Sequence, residues 1–179
     1  MTNESRLIEL LAKQDIYECI MKYSRGSDRY DAELIRSTFH PDAVVDREKK
    51  WSVDEWIEVS MSRDRSRARM HHIGNVLIDV HGSTAVAETY WLAYQVWSQD
   101  GIRMVRTRAA RYADRFECRD GEWRVLYRGV VDDWSYTQEV GPEISQGHSG
   151  LVGQPFPLDP IYGLLQESAS HASGQVAAK

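Results

Sequence analysis

The sequence predicts an α+β fold, a cone-shaped barrel in which a curved antiparallel meander wraps around N-terminal helices. Two observations carry this. Helical periodicity fills the first third of the chain. Strand-like alternation then runs from about residue 70 to 133, interrupted by Asp100-Gly101 and Asp120-Gly121, both hairpin signals. Strands this long must twist and curl, and helices that precede a curled meander pack within its curve. One end of such a cone stays open and offers a ligand pocket.

The elements follow in order. Leu7, Leu10, Leu11, Ile16, Ile20 and Tyr23 recur mostly at three- and four-residue steps, which predicts an amphipathic helix over 5–25. Asn3 or Ser5 caps its start and Gly26 offers a stop. Asp31 is placed to cap a short helix over 32–39, ended by His40-Pro41-Asp42. A short strand is expected over 43–47, then a turn at Lys49-Lys50. Ser52-Val53-Asp54-Glu55 has the spacing of a capping box and predicts a third helix to about Arg63, burying Trp56, Val59 and Ile57. Four strands complete the meander, over 70–80, 85–98, 103–119 and 123–133. The cone domain is expected over 1–140. Residues 141–179 form an extension rich in Gly, Pro, Ser and Gln, with Pro155, Pro157 and Pro160 opposing regular structure. A short docking helix over 161–165 and a frayed tail over 170–179 are expected there.

The bulk numbers exclude several functions. A chain of 179 residues with net charge -5 offers no general field for nucleic acid, and the arginines of 63–69 and 103–115 read as solvated or anion-pairing. No run is long and apolar enough for a membrane span. The N-terminus lacks a basic segment followed by an apolar one, and the two cysteines have no ligand-like spacing, so a cytoplasmic location is expected. The histidines form no ligand-spaced set, and no phosphate loop, dinucleotide fingerprint or nucleophile motif appears. The chain is therefore expected to use no cofactor and no metal.

Six Trp and nine Tyr against three Phe suggest either a core that needs bulk or a pocket for a flat, hydroxylated ligand. Asp28 has no capping duty, since Asp31 has that role. It is either a surface turn residue paired with Arg25 or Arg29, or a functional carboxylate. His71 and His72 are strand neighbours, so only one faces the interior. An interior histidine is either a satisfied core group or, beside a carboxylate, a general base. An imidazole's ordinary pKa of roughly 6.5 suits proton abstraction near neutrality. Leu126, Arg128, Val130 and Asp132 alternate onto one face of the last strand. Arg128 there pairs with Asp132 or stabilises negative charge on a ligand.

Three segments carry a family resemblance. They are Tyr23 to Asp28 with Phe39-His40-Pro41-Asp42-Ala43, then His71-His72-Ile73-Gly74-Asn75, then Tyr112-Ala113-Asp114-Arg115-Phe116 with Asp120-Gly121-Glu122-Trp123-Arg124. Across about residues 7–135 the chain resembles the SnoaL-like branch of the nuclear-transport-factor-2-like superfamily. Within it, the chain most resembles the scytalone dehydratases and hexachlorocyclohexane dehydrochlorinases. The resemblance implies an Asp28–His71 pair that abstracts a proton, Arg128 as the stabiliser of a leaving anion, and Tyr23 where the dehydrochlorinases have a lysine. Tyr23 or Tyr30 would donate to a departing hydroxyl, and Trp91, Tyr94, Tyr112 and Val130 would line a substrate pocket. The implied activity is a cofactor-independent, dehydratase-like lyase acting on a hydroxylated aromatic or cyclic substrate. A lignin-derived diaryl compound losing water and formaldehyde is one such substrate. A non-catalytic binding module, the small subunit of an aromatic-ring dioxygenase and a proton-shuttling isomerase are the competing readings. A homodimer or homotrimer is expected.

Overall fold

A computed structural model describes residues 2–62, 68–141 and 151–176, with side chains to residue 171. The expected third-helix end at Arg63, most of the first arginine cluster and residues 142–150 of the extension lie outside the described residues.

Helix α1 (Asn3–Arg29) runs farther than its periodicity predicts, and Thr2 rather than Asn3 or Ser5 caps it. Gly26 does not stop it. A Cβ there would meet Ile35 Cγ1 at 2.9 Å, so the glycine serves close packing against the next helix inside α1. The stop is Tyr30, in the left-handed conformation with φ 56°. Asp28 therefore lies in the last turn of α1 rather than beyond it.

Helix α2 (Ala32–Arg36) is capped by Asp31 as expected, with the Leu34 amide donating to the carboxylate at 3.0 Å. It ends early, because Phe39, His40 and Pro41 belong to strand β1 (Phe39–Asp46). A short strand β2 (Lys50–Ser52) precedes α3 (Val53–Met61), whose Ser52–Glu55 capping box is present. Trp56 and Ile57 are buried, while Val59 is half-buried.

The meander comprises β3 (Ala68–His81), β4 (Thr84–Gln99), β5 (Ile102–Arg119) and β6 (Glu122–Val140). Asp100-Gly101 and Asp120-Gly121 both have positive φ at each residue, as tight hairpins need. The sheet order is β2-β1-β6-β5-β4-β3, with β1 parallel to β6 and the other pairs antiparallel. The sheet is curved and does not close, so β3 is an edge strand.

Register irregularities between Ile73 and Val76 and at two points of the β5–β6 ladder bend the sheet. One of them corrects the expected face of β6. Phe116 pairs with Val125 and Arg115 with Tyr127, which leaves Leu126 as the extra residue. The inward set is thus Val125, Arg128, Val130 and Asp132, and Leu126 does not belong to it. Ile16, Ile20 and Tyr23 of α1 pack with Ile35, Phe39, Val45, Phe116 and Val125 in one core.

The C-terminal extension is more regular than expected. Pro160 opens α4 (Pro160–Val176), because proline is tolerated in a helix's first turn. That helix replaces both the short 161–165 helix and most of the expected frayed tail. Asp159 fastens its start, accepting from the Gln154 and Ile161 amides at 3.0 and 3.2 Å. No helix among the described residues is long and apolar enough to cross a membrane.

Candidate active site

Asp28 and His71, separated by 43 residues, meet where the end of α1 crosses β3. His71 Nδ1 and Asp28 Oδ1 are 2.6 Å apart. The second carboxylate oxygen accepts the His71 backbone N–H at 2.8 Å. One carboxylate thus holds both the ring and the backbone of the same residue. A carboxylate only accepts, so Nδ1 carries the hydrogen, and in the neutral ring this leaves the lone pair on Nε2. Nothing among the described residues bonds Nε2. The side chains of His71 and Asp28 are 12% and 10% exposed, so water competes little for this contact.

The alternation of β3 settles which histidine faces inward. His71 pairs with Ala93 on the concave face, while His72 is exposed on the other side of the sheet. Four cross-strand rows define the concave face near the pair: Arg69–Gln95–Arg106, His71–Ala93–Arg108, Ile73–Trp91–Ala110–Asp132, and Thr89–Tyr112–Val130. Trp91 stands edge-on to the His71 ring at 5.4 Å and lies 5.3 Å from Tyr112. Tyr112 in turn meets Tyr23 at 5.7 Å. A continuous line of rings therefore joins His71 to the core.

Several expected site residues keep this neighbourhood and others leave it. Trp91 and Tyr112 lie on the concave face and are buried, and Val130 packs beside Tyr112. Tyr94 does not join them: it pairs with Met70 and Thr107, on the opposite face of β4 from Trp91 and Ala93. Sequence fixes strand identity better than register, and a one-residue shift reverses the face. Tyr30 is buried and caps α1, with the Arg69 guanidinium 3.7 Å above its ring. Tyr23 is 4% exposed, and its hydroxyl accepts from Trp56 Nε1 at 3.1 Å.

Arg128 pairs with neither Asp132 nor an open pocket. Its Nε and one terminal nitrogen donate to Asp114 at 3.0 and 2.6 Å, and both side chains are 0% exposed. Its guanidinium is layered between Tyr23 and Tyr112, at 4.0 and 4.1 Å. Burial disfavours the Arg128 charge, but Asp114 more than offsets this and holds its pKa above the usual guanidinium range. Asp132 instead pairs with Arg108. Arg128 has no surface open to a ligand and fixes the two tyrosines.

A cleft of about 400 Å³ has Asp28 and His71 in its wall, with Met21, Ser24 and Ile73 beside them. Asp159 and Ile161 of the C-terminal extension complete it. Arg29 ties that extension to α1, with Nε 3.3 Å from Asp159 and its carbonyl accepting the Phe156 amide at 2.6 Å. A larger groove of about 620 Å³ lies across the outer sheet face, lined by His72, Tyr90, Leu92, Arg111 and Trp134. It holds neither Asp28 nor His71. Chemistry rather than size marks the smaller cleft.

Sequence comparison now places the fold. The sequence profile of the SnoaL-like domain matches residues 9–129. The chain belongs to the SnoaL-like domain family. Its fold is shared with a type 2 hexachlorocyclohexane dehydrochlorinase at 17% identity and TM-score 0.63, covering 84% of this chain and 100% of that one. A type 3 dehydrochlorinase from Novosphingobium barchaimii aligns at 18% identity and TM-score 0.61, covering 79% and 96%. A candidate scytalone dehydratase from Novosphingobium aromaticivorans aligns at 18% identity and TM-score 0.62, covering 87% and 98%. At these identities the likeness shows the fold alone. No curated protein sequence matches the chain.

Among the described residues, no group of three His, Cys, Asp or Glu side chains is arranged to hold a metal. Cys19 lies in the core, its Sγ donating to the Thr38 carbonyl at 3.4 Å. Sequence reasoning missed Arg69. It stands two residues before His71 and so shares its face, but it reads as the end of a surface arginine run.

Proposed function

We propose that this SnoaL-like protein is a cofactor-independent lyase that removes a proton with His71 and expels a leaving group from a hydroxylated aromatic or cyclic substrate. The supporting observation is the 2.6 Å contact of His71 Nδ1 with a carboxylate whose other oxygen is held by the same residue's backbone. His71 Nε2 accepts the proton from carbon or from a phenol. Asp28 then stabilises the imidazolium and keeps its ring oriented. The leaving group departs as the electrons of the broken C–H or O–H bond move into the new π-bond. Met21 and Ile73 supply the apolar wall of the cleft, and Trp91 backs the imidazole edge-on. Low exposure strengthens each charge interaction during the step.

A phenolic diaryl compound that loses water and formaldehyde is the specific substrate type we favour testing first. The purified protein, without added metal or nucleotide, is offered a phenolic diaryl alcohol and a hydroxylated cyclic ketone. Turnover that falls about 10²–10⁴-fold in His71→Gln and Asp28→Asn, with unchanged thermal unfolding, supports the lyase reading. Full activity in His71→Gln removes the proposed base. A protein that binds these compounds but never converts them is the binding module instead.

A further inference from the structure

Three features of the concave face are left unexplained by the proton-transfer pair. Arg69 is 6% exposed, yet neither its Nε nor its two terminal nitrogens meet a hydrogen-bond acceptor. Among the described residues no carboxylate forms an ion pair with it. Burial lowers its pKa and outweighs the Tyr30 hydroxyl and Asp28, which lie close enough to favour its charge; the Tyr30 ring lies against its guanidinium. On the other side of His71, the buried Trp91 Nε1 also has no acceptor. Thr89 Oγ1, in the next row, is buried and unpartnered as well. Buried donors are rarely left unsatisfied, and an unpaired buried charge is costly. Here they bracket the catalytic histidine on one face.

These donors share one need, an acceptor-rich anion. We propose that Arg69 is the anchor for a carboxylate on the substrate, so that the protein acts on aromatic acids. This rests on reading the Asp28–His71 site as one that takes a small molecule. The planar guanidinium matches a carboxylate through two parallel hydrogen bonds, which a hydroxyl or amide cannot reproduce. Residues two apart on one strand stand about 6–7 Å apart, the span of one substituted aromatic ring. A ring anchored by its carboxylate at Arg69 would reach along this face as far as the His71 position. Ala93 pairs with His71 in the same row, so the neighbouring position carries only a methyl. Arg108 closes that row and stacks over Trp91 at 5.3 Å, but Asp132 already neutralises it. Arg69 keeps all three guanidinium nitrogens without a hydrogen-bond acceptor among the described residues.

The test is binding, read by calorimetry or ligand-observed NMR without turnover. Para-hydroxybenzoate and its neutral amide are titrated into the full chain, into Arg69→Met and into His71→Gln. The acid is expected to bind wild-type protein at least about tenfold tighter than the amide. Arg69→Met is expected to erase that preference, and His71→Gln to keep it. Equal binding of acid and amide to wild-type protein overturns the proposal, as does an acid preference that survives in a folded Arg69→Met. Absence of saturable acid binding in the millimolar range also overturns it. Should Arg69→Met fail to fold, the wild-type comparison decides alone. An Arg69-dependent acid preference in a protein that converts no substrate leaves the anchor standing and removes the lyase reading. Turnover of neutral substrates without acid preference does the reverse.

Discussion

At the residue scale, Arg128 shows how far a side chain's surroundings redefine its role. An arginine inside a strand of apolar neighbours needs an anion, and that much is legible in the sequence. The identity of the anion is not, because it depends on a β-bulge that brings Asp114 opposite Arg128. With both side chains fully buried, removing only the carboxylate strands a guanidinium in the core. Asp114→Ala is expected to lose about 3–5 kcal/mol of unfolding free energy. The double variant Asp114→Leu/Arg128→Met is expected to recover most of it. Urea titrations of the three proteins measure both effects, and equal losses in single and double variants would refute this account. Asp28 and His71 are the opposite case. Neither residue's local context distinguishes it from a turn aspartate or a core histidine. Only the three-segment resemblance brings them together, and the 2.6 Å contact gives that pairing its geometry. Arg69 was hidden for a different reason. Its neighbours in sequence are arginines, so its burial could not be read from composition.

At the scale of elements, most of the fold is legible because each piece has its own chemical punctuation. The capping box at Ser52–Glu55 announces α3, and the two Asp-Gly hairpins fix the meander. Substituting Ser52 by Ala removes the acceptor for the Glu55 amide and is expected to cost about 1 kcal/mol. A small drop in thermal midpoint with the fold retained is the measurable result. Boundaries fail where tertiary packing overrides local signals. Gly26 has the look of a helix stop, but the approach of Ile35 makes a glycine necessary within α1. That extra turn carries Asp28 to β3. Strand β6 runs seven residues beyond its expected end at Asp133 because β5 is long enough to pair with it to Val140. In the extension, three prolines argued against regular structure, but Pro160 occupies the one helical turn that tolerates it.

At the scale of the whole molecule, apolar side chains on α1 and on the outer sheet face are exposed among the described residues. Leu7, Leu10 and Leu11 were expected on the buried side of α1, yet they are 56–62% exposed because the core contacts begin near Ala12. On the outer sheet face, Val86, Tyr90, Val131 and Trp134 are also exposed. Exposed patches of this kind mark association sites. The protein is expected to be a dimer or trimer by light scattering, and Trp134→Glu is expected to reduce its mass if the outer face is the contact. A monomeric wild-type protein would exclude that arrangement. The unusual content of Trp and Tyr is legible at this scale too. Part of it serves the core, since Tyr23 and Tyr112 are layered around Arg128 and the buried Trp91 stands against His71.

Strand β3 borders the open side of the sheet, and its outward amides have no neighbouring strand to receive them. Asp28 occupies one such amide, at His71. Losing that carboxylate therefore uncovers a docking point for a foreign β-strand as well as loosening the imidazole. Asp28→Ala should form cross-strand aggregates on storage more readily than His71→Gln, which retains the amide contact. Solubility becomes a property governed by this aspartate.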